Sequence, residues 1–67
     1  MKVKDVTFAH AVRLQNKKLE NFVTSTGTLF TLEYDAKTQL LSIFYKDSSI
    51  VKKVGITNII EMTVELE

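Results

Sequence analysis

The chain has 67 residues, 45% hydrophobic and 25% charged, with nine basic and eight acidic side chains, a net charge of +1, and neither cysteine nor proline. A chain this short makes one domain, residues 1–67, and buries only roughly 60% of the surface it exposes when unfolded. The composition excludes disulfides and thiolate metal ligands, and the near-neutral charge gives no whole-molecule field that would draw in nucleic acid or an anionic membrane.

No apolar run approaches the ~18 residues of a membrane span, and the opening Met1 to Lys4 leads into no signal-peptide hydrophobic stretch, so a soluble cytoplasmic protein with no membrane partner is expected. Val, Ile, Thr, Phe and Tyr are abundant, the side chains that suit a pleated, half-buried surface. In the first third, strand alternation puts Val6, Phe8, His10, Val12 and Leu14 on one face. A helix over the same stretch would carry Thr7 and Val12 and gain only a ragged apolar stripe. Asn16, Lys17 and Lys18 read as a reversal, and residues 21–26 as a returning strand before Gly27. A short helical turn over residues 15–21 is the alternative.

"TLFTLEYD" and "LLSIFYK" flank "AKTQ" in a hairpin pattern, with Phe30, Leu32 and Tyr34 on one face of the first strand and Leu41, Ile43 and Tyr45 on one face of the second. "KDSS" turns the chain again, and residues 49–54 read as a strand holding Ile50, Val51 and Val54 around Lys52 and Lys53. Gly55 suits a positive φ at the following turn, and Asn58 suits a bond to its own backbone. Between them, Ile56 to Asn58 fit a tight connection or one turn of 3₁₀ helix. Last, Ile60, Met62, Val64 and Leu66 alternate with Glu61, Thr63 and Glu65. These readings make residues 28–66 a four-stranded meander. The predicted core is Phe30, Leu32, Ile43, Ile60, Met62 and Val64.

The run from Ile50 through "KKVGITNIIEMTVE" resembles the end of small SH3-like barrels, the Sm-like group included, where a strand, a one-turn 3₁₀ connection and a short final strand close the barrel. A short cysteine-free β chain also resembles the accessory proteins that phage genomes encode in number. The Asp and Gly pattern of Sm-like RNA-binding strands is absent. The expected fold class is therefore all-β: a small antiparallel meander of five or six strands curled into an SH3-like barrel, with one short helical turn.

Catalytic chemistry has little to stand on. His10 is the one side chain whose ordinary pKa lies near neutrality, and it shares an apolar face with no second base or ligand at His-x-His or Glu-x-x-His spacing. Glu33 and Asp35 at i, i+2 read as a solvated strand end, the serines sit in no elbow motif, and the two glycines build no phosphate loop. The expectation is no enzyme, no catalytic residues, no metal and no cofactor. Two binding readings are left. The preferred one is a protein-interaction module, phage-encoded and host-modulating, whose partner the sequence does not name and which also pairs with a second copy of itself as a homodimer. Its expected contact is a sheet edge carrying Glu61, Thr63 and Glu65, or an exposed face. The alternative is a small nucleic-acid-binding barrel that tracks phosphates with Lys17, Lys18, Lys52 and Lys53 and stacks bases on Phe22, Phe44 or Tyr45. Against it, the lysines read as edge protection and the aromatics as core.

Overall fold

The computed structural model describes residues 1–14, 17–27 and 29–66, with Lys17 described for its backbone alone. Its strands are β1 (Lys2–Phe8), β2 (Arg13–Leu14), β3 (Lys17–Lys18), β4 (Phe22–Thr24), β5 (Phe30–Asp35), β6 (Leu40–Tyr45), β7 (Val51–Gly55) and β8 (Ile59–Val64), and one turn of 3₁₀ helix, Ile56–Asn58, separates the last two. The fold is all-β. Six of the strands form one antiparallel sheet, ordered β4-β1-β5-β6-β7, with β8 on the remaining edge of β1; β2 and β3 pair as a separate small ribbon.

The hairpin of β5 and β6 forms as the alternation predicts, with Leu32 opposite Ile43 and Tyr34 opposite Leu41. Leu32, Leu41 and Ile43 are fully buried. Phe30 packs on Tyr45 with ring centroids 5.4 Å apart, tilted at 57°. In the four-residue turn between these strands, the Asp35 carboxylate accepts from the Lys37 amide at 2.9 Å and the Asp35 carbonyl from the Gln39 amide at 2.7 Å. The left-handed turn positions are Gln39, φ 58°, and Asp47, φ 61°. Gly55 is not one of them: it is extended at φ −74°, ψ 154°, so its expected positive φ is absent.

The last strand departs from a simple meander. β7 runs beside β6, but β8 crosses to β1 and pairs there from Val3 opposite Val64 to Phe8 opposite Ile59. Two bulges adjust that ladder. Lys4 is an extra residue on β1, and Ile60 an extra residue on β8, as the register steps show. A bulge adds one residue and so reverses which face the alternation meets. That is why Ile59, not Ile60, packs against the core, and why the predicted burial of Ile60 is wrong: it is 63% exposed. Met62, Val64 and Phe30 pack against the core half-buried.

β1 therefore organises the molecule. Its one edge takes β8; its other edge takes β5 at Lys2 and Val3 and then β4 from Asp5 to Thr7. At the changeover the carbonyls of the bulge are satisfied by Ser25, whose hydroxyl donates to Val3 O at 2.8 Å and whose amide donates to Lys4 O at 2.8 Å. Val3, Val6 and Phe8 point into the core, with Val12, Leu14, Leu19 and Val23 of the following segments folded over them. The strand expected to run on through His10 stops at Phe8. His10 is exposed, off the face that buries Phe8 and Val12. Of the reversal expected at Asn16, Lys17 and Lys18, the two lysines instead form strand β3, while residues 15 and 16 lie outside the described residues; of residues 17–21 none is helical. The expected start of a strand at residue 28 also lies outside them.

Candidate interaction surface

The sheet register decides which side chains can act together. On the outer face of β5, β6 and β7 three rows cross the strands: Thr31, Phe44 and Val51; Glu33, Ser42 and Lys53; Asp35, Leu40 and Gly55. Lys2 of β1 lies opposite Glu33 and extends the middle row. Lys53 Nζ donates to Ser42 Oγ at 3.0 Å, which confirms that the two share this face. The small Ser42 side chain leaves a shallow hollow of about 440 Å³, lined by Met1, Glu33, Asp35, Phe44 and Lys53 among others. Asp35 is held below its ordinary value of 3.8 by the Lys37 amide first, against an opposing desolvation, with Thr38 and then the charge of Lys53 adding lesser lowering.

This arrangement divides Lys52 from Lys53. Successive strand residues point to opposite faces, so Lys53 joins the outer row while Lys52 lies across from buried Ile43 and reaches solvent at the rim. Lys53 is also engaged by Ser42 and sits near Asp35. Lys18 belongs to the β2-β3 ribbon, where it faces Arg13, and the side chain of Lys17 is outside the described residues. The structure does not bring Lys52 and Lys53 together on one face.

The expected edge residues Glu61, Thr63 and Glu65 are all exposed. Glu61 and Thr63 belong to an outer face too: Glu61, Thr7 and Phe22 make one row across β8, β1 and β4, and Thr63, Asp5 and Thr24 the next. Glu65 extends the pairing through its amide, which donates to Lys2 O at 2.9 Å. The expectation that the aromatics are core holds for Tyr45, half-buried against Phe30, and fails for Phe22 and Phe44, which are 56% and 38% exposed. Phe22 and Leu29 border a second groove of about 350 Å³, with Lys18 and Glu20 on its rim.

Two asparagines turned out to matter more than the charged residues singled out in the sequence. Asn58 does not bond its own backbone. Its side chain accepts from the His10 amide at 2.8 Å and donates to the His10 carbonyl at 3.1 Å, while its own carbonyl accepts from Ala9 at 2.9 Å. Asn21 donates its side-chain amide to Phe8 O at 3.1 Å, and its carbonyl accepts from Phe8 at 2.7 Å. These contacts pin the chain where it leaves β1. They hold backbone and present no reactive group.

The Ser42 and Lys53 pair has the reach of a nucleophile and a base, but Lys53 Nζ donates to the hydroxyl, whereas a base that activates a nucleophile accepts from it. Among the described residues no three His, Cys, Asp or Glu side chains gather as a metal site, and no helix is long and apolar enough to cross a membrane. No family model, curated protein or solved structure matches this chain.

Proposed function

We propose that this protein is a non-catalytic interaction module that presents an exposed face of its sheet to a protein partner. The observation that carries the reading is the placement of Phe22 and Phe44 on outer faces, in ladder positions where alternation ordinarily sets polar residues. Exposed aromatic side chains that no core packing requires are the usual anchors of protein interfaces. The likeness to SH3-like barrels and to short phage accessory proteins belongs to the same proposal. It rests on the 3₁₀ turn before the final strand and on the size of the chain, and it carries with it a host-cell cytoplasmic setting.

The nucleic-acid reading is weaker, because the pleat divides Lys52 from Lys53 and Lys53 is already bonded to the Ser42 hydroxyl. Two measurements test the choice. A photo-crosslinking phenylalanine placed at Phe22, at Phe44 and, as a control, at Thr38 is expected to give discrete protein adducts from the first two sites in the cells that make the protein. Adducts no stronger than those from Thr38 would remove the proposal. Labelled single- and double-stranded oligonucleotides at low salt, with about 50 µM protein, are expected to show no shift. A salt-sensitive shift that Lys18→Glu abolishes would put the nucleic-acid reading first.

A further inference from the structure

We infer that the outer face of β5, β6 and β7 is a self-association surface, on which two copies of this chain pack about a two-fold axis running along β6, with Glu33 of each copy facing Lys53 of the other. The inference rests on the interaction-module reading and names one partner for it: a second copy.

A two-fold axis along the middle strand exchanges the two flanking strands, so β5 of one copy lies over β7 of the other. A face fits itself under that operation only if its left and right halves are complementary. The middle row meets the condition. It runs Glu33, Ser42, Lys53: negative, neutral, positive. Turned over, it sets positive on negative at both ends, with the buried Ser42 at the centre of each copy. The row beside it places Phe44 against the partner subunit's Phe44 on the axis and Val51 against the partner subunit's Thr31. The third row places Leu40 against the partner subunit's Leu40. The apolar spine of the face is thus Leu40 and Phe44, with Ser42 buried between them and Lys53 reaching over it to its hydroxyl.

The remaining chemistry agrees. Lys53 Nζ carries three donors, and the bond to Ser42 uses one, so two are left for a carboxylate across the interface. Lys2 flanks Glu33 from β1, but among the described residues no strand lies beyond β7 to oppose it, so it adds no like-charge contact. Sheets packed face to face keep their strands within about 30° of each other, which preserves the register near the axis, where Phe44 and Ser42 sit. Pairing by the edge of β7 is the less favoured route, since an antiparallel self-pairing centred on that strand sets Lys53 against the partner subunit's Lys53.

Sedimentation equilibrium from about 5 to 500 µM is expected to show a reversible dimer whose melting temperature rises with concentration. Glu33→Lys and Lys53→Glu are each expected to weaken self-association at least about tenfold, because each turns two attractive contacts into repulsive ones. Mixing the two single variants restores complementarity at both ends of the row, so a mixed dimer is expected where neither variant alone forms one. The double variant, Glu33→Lys with Lys53→Glu, is expected to dimerise like the parent. Phe44→Ser, which changes no charge, is expected to weaken the dimer with an unchanged monomer melt. A single 7.6 kDa species throughout overturns the inference, and so does a dimer indifferent to all these changes. Either result leaves the interaction module standing if the Phe22 crosslinker still captures a different protein; loss of both adducts removes the two together.

Discussion

Leu32 and Ile60 stand in equally regular apolar runs, and they end in opposite environments. Leu32 is completely buried between Val3 and Ile43, its ladder neighbours, whereas Ile60 bulges out of β8 and is 63% exposed. Truncation should separate them cleanly. Leu32→Ala is expected to cost about 2–5 kcal/mol, the range for a large-to-small change in a core. A core of this length supplies on the order of 3–5 kcal/mol, so much of that protein would be unfolded. Ile60→Ala is expected to stay within about 0.5 kcal/mol of the parent, as an exposed substitution does. Urea titrations of the two proteins decide the matter, and equal losses would mean that the bulge is misplaced. The three buried core positions on β5 and β6, Leu32, Leu41 and Ile43, are legible in the sequence because period two is enough to find them. The sidedness of Lys52 and Lys53 is legible for the same reason: neighbours along a strand cannot share a face. The clamp of Asn58 on His10 is not, because the two residues are 48 apart in the chain and nothing local links them.

Turns and bulges are where the strand pattern ceases to inform. Glycine is the residue expected at a positive φ, yet Gly55 is extended, and the left-handed positions are Gln39 and Asp47. Aspartate tolerates that region better than most residues, and glutamine has no such allowance. A Cβ added at Gly55 would meet only Thr57 Oγ1, at 3.9 Å. Gly55→Ala is therefore expected to leave stability unchanged or raise it by up to about 1 kcal/mol, through the unfolded chain, and Gln39→Gly to raise it by about 0.5–1 kcal/mol by relieving the left-handed backbone. Thermal melts at fixed protein concentration read both. Destabilisation of more than about 1 kcal/mol by Gly55→Ala would show that the extended backbone is wrong. The bulges at Lys4 and Ile60 are equally silent in the sequence. Each is set by the partner strand and becomes visible only once the ladder is known, and the ladder joins the two ends of the chain. So the strands themselves can be read from alternation, while the pairing of the last with the first, and the inversion of phase that follows, cannot.

The molecule closes by bringing its termini into the same sheet. The Met1 ammonium donates to Tyr34 O at 3.1 Å, the Tyr34 amide donates to Met1 O at 2.9 Å, and the Glu65 amide reaches Lys2 O from the far end of the chain. Without β8, one edge of β1 would lose its ladder, and Val6 and Phe8, buried in part under Ile59, Met62 and Val64, would meet water. Exposing even two such side chains costs about 1.5–3 kcal/mol each, which matches or exceeds the whole margin of a small domain. Beyond Val64 the balance changes, for Leu66 is 96% exposed and Glu65 contributes one backbone bond. Two truncations follow from this contrast. Ending the chain at Asn58 is expected to abolish the fold, with collapsed amide dispersion in a ¹H–¹⁵N spectrum. Ending it at Val64 is expected to keep the spectrum of the parent and to cost about 0.5–1.5 kcal/mol, the worth of a single hydrogen bond. A folded chain that stops at Asn58 would mean that β1 and the meander β5-β6-β7 form a stable core alone, and that β8 only covers it. The ladder argues otherwise, because β1 meets β5 at just Lys2 and Val3, and the rest of its length depends on β4 and β8 for support.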